Sequence, residues 1–220
     1  MIVIFLGPPG SGKGTQADLL AQSRGWVKLS TGDMMRREVA MSTDLGKKIA
    51  NILQSGGLVP DTLITEALIA AVKQLPEDSH IILDGYPRSL VQAQSLDRCL
   101  PELHQQIAVV FDFMIGNPII LDRLAGRYQC QTCHTSLQLS IEKRSNTTSI
   151  ECPHCHAMTL SRRNDDNPEV IVKRLEVFSQ AQQHLTDYYQ NKGVLKKIDA
   201  ALSPEAVAVQ IETILSPLFA

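Results

Sequence analysis

Short apolar runs alternate along the chain with longer amphipathic stretches. Residues 2–6, 81–83, 108–113 and 194–198 are close to continuously apolar, apart from Lys196 and Lys197. Runs of this length without polar alternation suit central strands of a parallel sheet covered on both faces. Residues 27–29 make a weaker fifth candidate. Between these runs the spacing predicts helices over 15–22, 62–73, 118–125, 168–190 and 204–215. Asn117-Pro118 and Asn167-Pro168 each read as an N-cap followed by proline at the first helical position, where a missing N–H costs nothing. The alternation predicts a doubly wound α/β domain with a five-stranded parallel sheet. Two stretches depart from it. Residues 30–59 read as helical and polar, and between about 128 and 164 apolar density falls and Cys, His, Ser, Thr and Arg dominate.

Composition narrows the class. A chain of 220 residues can build one sizeable core with small insertions, and 44% apolar with 20% charged residues is ordinary for a globular protein in water. A net charge of −2 argues against a broad nucleic-acid-binding surface. Residues 1–6 are apolar but end at Gly7, too short a run for a signal segment or a membrane span. The expectation is a cytoplasmic monomer with no membrane or nucleic-acid partner.

The chemistry begins directly after the first strand. Gly7-Pro8-Pro9-Gly10-Ser11-Gly12-Lys13-Gly14-Thr15 leads from a strand into a helix. Glycines let backbone N–H groups turn toward phosphate oxygens, and the helix N-terminus adds the positive end of its dipole. Gly10, Ser11, Gly12, Lys13, Gly14 and Thr15 therefore form a candidate ATP-phosphate cradle. Lys13 would reach the β- and γ-phosphates and Thr15 would help organise Mg²⁺. The strict motif places Ser or Thr directly after the lysine, whereas here Gly14 stands there. The run 81–83 ends in Asp84. In a P-loop protein that strand lies beside the first, so Asp84 would face the same crevice and hold Mg²⁺ through water.

Three further segments give the pattern its specificity: Ser30-Thr31-Gly32-Asp33-Met34-Met35-Arg36, Asp84-Gly85-Tyr86-Pro87-Arg88, and Gly126-Arg127 with Arg163-Asn164-Asp165-Asp166. Together with the glycine loop, and at this spacing, they resemble the adenylate kinase family over essentially the whole chain. The resemblance implies reversible transfer of a phosphoryl group from Mg-ATP to AMP, giving two ADP. Such a reaction is catalysed mostly by positioning and charge stabilisation, for which arginine's planar, permanently charged fork is suited.

The resemblance also distributes roles. Arg36 and Arg88 would hold the AMP phosphate, Arg123 and Arg127 the ATP phosphates, and Arg163 and Arg174 the transferring group from the lid side. Asp165 and Asp166 would orient the lid by pairing with arginines. Thr31 and Gln92 would read the AMP base, with the backbone of Gly57, Leu58, Val59 and Gly85, alongside Tyr86 and Pro87, completing that pocket. Ser136, Leu137 and the backbone of Leu202 would border the ATP base or ribose. Lys13, Arg88, Arg123, Arg163 and Arg174 would form the catalytic set. The family usually carries Gly after the Asp that ends the last strand, where this chain has Asp199-Ala200.

Cys130-x-x-Cys133 and Cys152-x-x-Cys155 are separated by eighteen residues. That is the spacing of a Cys₄ structural zinc site, one zinc closed by four thiolates. A segment this small cannot bury enough core to fold alone, so a metal would supply the missing stabilisation. His134, His154 and His156 read as bystanders, and Cys99 as a buried or inert thiol. The division expected is a core of 1–29, 60–126 and 165–220, an AMP-binding insertion of 30–59, and a zinc-bearing lid of 127–164. The alternatives are a kinase for another nucleoside monophosphate, a GTP-preferring relative, or a zinc-ribbon nucleic-acid-binding protein.

Overall fold

In the computed structural model the chain is described over residues 1–54, 59–133, 135–143, 150–163 and 166–219. The strands in chain order are β1 (Ile2–Leu6), β2 (Val27–Ser30), β3 (Ile81–Asp84), β4 (Ile107–Met114), β5 (Arg127–Cys130), β6 (Ser136–Gln138), β7 (Leu160–Ser161) and β8 (Leu195–Asp199). The helices are α1 (Lys13–Arg24), α2 (Thr31–Ala40), α3 (Asp44–Gln54), α4 (Asp61–Lys73), α5 (Leu90–Cys99), α6 (Asn117–Ala125), α7 (Pro168–Asn191) and α8 (Pro204–Leu215). Five strands pair in parallel in the order β2-β3-β1-β4-β8.

The side-chain alternation of β1 shows why both sheet faces are covered. Ile2, Ile4 and Leu6 enter one core with Leu68 of α4, Leu96 of α5 and Leu185 of α7. Val3 and Phe5 enter the other with Leu20 of α1 and Ile211 of α8. Residues one apart on a strand point to opposite faces, so a strand that is apolar throughout needs a helical layer on each side.

The last apolar run sits elsewhere than its composition implied. β8 lies at the sheet edge, with Lys196 and Lys197 exposed, so it is not a central strand. Lysines fit an edge because they keep their charge in water and discourage further strand pairing. A second correction concerns α6. Its N-cap is Gly116, and Asn117 is already helical, with no side-chain cap. Asn167 does cap α7, its side-chain oxygen accepting from Glu169 N–H at 3.0 Å.

The polar stretch from 30 to 59 folds as α2 and α3 in its described part. The cysteine-rich stretch forms a separate antiparallel sheet of order β6-β5-β7, which the residue pattern did not foretell. Its own small core gathers Tyr128, Cys130, Leu139, Cys152 and Leu160. Strands of two to four residues with so few apolar positions carry little periodic signal. Among the described residues, no helix is long and apolar enough to cross a membrane.

Candidate active site

β1 delivers the chain into the glycine loop, and β3 ends beside it, with Phe5 in register with Asp84. Gly10 has φ +79°, and a Cβ there would sit 2.9 Å from Leu124 Cγ, so the loop geometry excludes a side chain. Gly14 lies in the first turn of α1, and a Cβ there would touch Asp84 Oδ2 at 3.4 Å, an ordinary contact distance. The Asp84 carboxylate thus stands against the helix that opens the phosphate cradle.

Lys13 folds back into the loop. Its Nζ donates to the carbonyls of Gly7 and Pro8, both at 2.7 Å, and to Ser11 Oγ at 3.1 Å. Burial pulls its pKa down to about 7, against the pull of Asp84, while the charges of Arg88, Arg174 and Arg127 lower it further. Those arginines come from the loop after β3, from α7 and from the start of β5, so three distant segments converge on one lysine. Concentrated positive charge of this kind suits a ligand carrying several phosphates.

Arg123 lies across the loop from the other side. It donates to Ser11 O and to Leu202 O, both at 3.3 Å, which joins the cradle to the turn after β8. Leu202 itself is exposed. Arg127 makes a two-point contact with Asp166, Nε at 2.7 Å from Oδ2 and Nη2 on Oδ1. Arg174 stands 3.8 Å from the same carboxylate. Asp166 is fully buried at its side chain and thereby fixes both arginines near Lys13. Asn164 and Asp165 lie outside the described residues. Arg163 donates to Ser136 Oγ at 2.8 Å, and Leu137 packs against the small core of the β6-β5-β7 sheet. Thr15 is exposed in the first turn of α1.

The candidate AMP side is built around the loop after β3. Arg88 Nε donates to Gly85 O at 2.8 Å, and Thr31 Oγ1 donates to the same carbonyl at 2.9 Å. The Tyr86–Pro87 bond is cis, and Tyr86 is buried, its hydroxyl reaching Gln92 O at 3.1 Å. Arg36 pairs with Asp33 on α2. Burial raises the Asp33 carboxyl, but Arg36, with Arg163 and Lys28 adding their charge, holds it below the ordinary carboxylate range. Arg163 and Arg36, far apart in sequence, therefore act on one carboxylate. Val59 is buried, while Gly57 and Leu58 lie outside the described residues.

The four lid cysteines come together. One sulfur from each of Cys130, Cys133, Cys152 and Cys155 lies within 4.8 Å of the others. Cys130 and Cys155 are 3.5 Å apart, and Cys133 and Cys152 3.6 Å. A backbone N–H from Cys133 and the Thr159 hydroxyl pull the Cys130 thiol down to about 5. A compact set of four sulfurs, each within reach of the others, fits a tetrahedral soft-metal site. His156 instead contacts Glu151 at 2.5 Å, and His134 lies outside the described residues. Cys99 is half-buried.

Sequence reading passed over Lys28, Asp61 and Ser89. Lys28 lies on β2, bonded to Asp18 at 2.7 Å and 4.0 Å from Asp84. Asp61 bonds the side chains of Ser89 and Gln92. Single charged residues such as Lys28 and Asp61 are common at a strand or at the start of a helix, so nothing local marked them, whereas Ser89 and Gln92 carry the S-x-x-Q signature of a helix start.

Comparison with known proteins agrees with this geometry. A family model described as adenylate kinase matches residues 5–194. The chain is 37% identical over 220 residues to an adenylate kinase of Archaeoglobus fulgidus, covering 99% of each. It is 35% identical over 221 residues to one of Rhizobium etli, covering 99% of this chain and all of the relative. An adenylate kinase of Syntrophomonas wolfei is 36% identical over 218 residues, covering 99% of this chain and all of the relative.

Proposed function

The chain belongs to the adenylate kinase family, and on that premise we propose how its residues divide the transfer of a phosphoryl group between ATP and AMP. The observation that carries the reading is Lys13 held in the glycine loop, with Arg88, Arg127 and Arg174 drawn from three segments around it. Lys13, Arg123 and Arg127 bind the ATP phosphates, with backbone N–H groups of residues 10–15. Arg36 and Arg88 hold the AMP phosphate, and Arg163 and Arg174 cover the group in transit. Asp84, beside Gly14, would hold Mg²⁺ through water, and Thr15 in the first turn of α1 would help organise it. Bound with ATP, the ion would neutralise part of the β- and γ-phosphate charge.

The attacking AMP phosphate is already anionic, so no side chain needs to remove a proton. The protein's work is to align donor and acceptor and to stabilise charge without reorganisation. Water is the competing acceptor. A lid of 127–164 that folds over the nucleotides would exclude it, with 30–59 closing from the AMP side. The separate lid core and the Asp166–Arg127 and Asp166–Arg174 contacts at its border support that division. Thr31 and Gln92 face the AMP base in this reading, and Leu202, Ser136 and Leu137 border the ATP base. A coupled assay for ADP formed from ATP, Mg²⁺ and AMP tests the activity. Comparable rates with UMP, CMP or GMP in place of AMP would overturn the choice of acceptor.

The lid cysteines would hold one zinc ion, whose bonds would supply folding energy that a core whose buried non-cysteine members are Tyr128, Leu139 and Leu160 does not. With four thiolates no position stays open for water, so the metal is structural. Purified reduced protein is expected to carry one zinc per chain. Chelation, or Cys130→Ser, is expected to lower the melting temperature, with a smaller loss of activity at low temperature. A zinc-free protein whose melting temperature ignores chelator would remove the proposal. Reduced thiolates fit a cytoplasmic setting, and a single chain completes the site. Sedimentation of the intact protein tests the second point.

A further inference from the structure

We propose that Asp61 fixes the polarity of the base-reading amide, so that the acceptor site takes a 6-aminopurine monophosphate and rejects a 6-oxopurine. The inference rests on the reading that Gln92 faces the base of the acceptor nucleotide. Gln92 is 1% exposed and its amide is held at both ends. Its Nε2 donates to Asp61 Oδ1 at 2.7 Å, and its Oε1 accepts from Arg88 N–H at 2.7 Å. A glutamine amide is nearly symmetric in shape, so it can ordinarily turn over to serve whichever donor or acceptor it meets. Here it cannot. Reversal would set Oε1 against a carboxylate that only accepts, and Nε2 against a backbone N–H that only donates.

Each amide atom has one bonding position left, an N–H on Nε2 and a lone pair on Oε1. Adenine offers a complementary pair, the N1 acceptor and the 6-amino donor. Hypoxanthine and guanine present the opposite pair, an N1–H donor and a 6-oxo acceptor. They would need the reversed amide.

Asp61 is itself positioned. It opens α4, and its Oδ2 accepts from Ser89 Oγ at 2.5 Å. Ser89 is the N-cap of α5 and accepts Gln92 N–H at 3.1 Å. The carboxylate therefore joins the start of α4 to the start of α5, and Gln92 is tied to it directly through its side chain and, by way of Ser89 Oγ, through its backbone N–H. Tyr86 adds a further tie, its hydroxyl lying between Thr65 of α4 at 2.9 Å and Gln92 O at 3.1 Å.

The test is the ratio of kcat/KM for AMP to that for inosine monophosphate, at fixed Mg-ATP, in the full chain. Asparagine matches aspartate in shape but can offer an N–H, so it can accept the reversed amide. Asp61→Asn is expected to lower the ratio about tenfold or more, as loss of one buried polar constraint implies. A merely structural role would depress both substrates alike and leave the ratio in place, which would overturn the proposal. Gln92→Ala separates the two layers. If it collapses the ratio while Asp61→Asn does not, Gln92 reads the base and Asp61 does not set its polarity. If Gln92→Ala leaves the ratio intact, the underlying reading fails and this inference with it. Ser89→Ala, which frees one carboxylate oxygen of Asp61, is expected to shift the ratio the same way by less. It decides the matter should Asp61→Asn not fold, an unchanged ratio then counting against the proposal.

Discussion

Lys13→Ala is expected to slow phosphoryl transfer by about 10²-fold or more, close to 2.7 kcal/mol of transition-state stabilisation. Before nucleotide arrives the three N–H donors of the lysine are taken by the Gly7 and Pro8 carbonyls and by Ser11 Oγ, so Lys13 exchanges loop partners for phosphate oxygens as ATP binds. Once on the phosphates its charge is fixed where negative charge moves during transfer, which is why its loss falls on kcat as well as on ATP binding. Stability should respond differently. Burial lowers the folded-state pKa of Lys13 from 10.5 to about 7, with Arg88, Arg174 and Arg127 adding to the fall. The folded protein then binds fewer protons than the unfolded chain between those values. The charged lysine therefore opposes folding in full below about pH 7, and that opposition fades as pH rises toward 10.5. The alanine variant should melt no lower than the parent at pH 7 and below. Thermal melts across pH, read beside single-turnover rates, check both halves. Near-normal turnover would remove Lys13 from the cradle. A clear loss of stability at neutral pH would contradict the account of its burial.

Arg88→Ala is expected to lower kcat/KM for AMP by about 10²-fold, the scale of one or two charge-assisted hydrogen bonds to phosphate. Both parameters should suffer, because the acceptor phosphate must be aimed as well as bound. KM for ATP should move far less, since Lys13 and Arg123 carry that side. Arg88 is set by the turn itself, its Nε on Gly85 O at 2.8 Å, so the fork projects from a fixed base. Arg88→Lys should recover little, because an ammonium cannot reproduce a planar two-point contact. An AMP KM that stays at the parent value would place the acceptor phosphate elsewhere.

Much of this site is legible in the sequence because its signals are local. The glycine loop, the strand before it and the helix after it fall within about two dozen residues. Their backbone demands, positive φ at Gly10 and Gly12, leave few residue choices. The same holds for each C-x-x-C turn and for Asn167 capping α7. The resemblance to a known family supplied the arginines, and the fold brings several of them around Lys13. Where local pattern misled, the reason was also local. The run at 194–198 looked apolar enough for a central strand, yet its two lysines could face water only at the sheet edge.

Tertiary structure alone decided the polar pairings. Gln92 meets Asp61 across 31 positions, and Arg127 meets Asp166 across 39. No periodicity connects residues so far apart, because hydrophobic pattern records which face a side chain takes and not which polar atom it will find there. Lys13 resting on its own loop carbonyls, and the β6-β5-β7 sheet closing over Tyr128, Leu139 and Leu160, belong to the same class. By itself the sequence determined the layered α/β core, the glycine loop and the cysteine set, since each follows from constraints within a short window. The orientation of the Gln92 amide and the clamp of Asp166 on Arg127 and Arg174 required the fold, because a hydrogen bond depends on atoms placed to within a few tenths of an ångström.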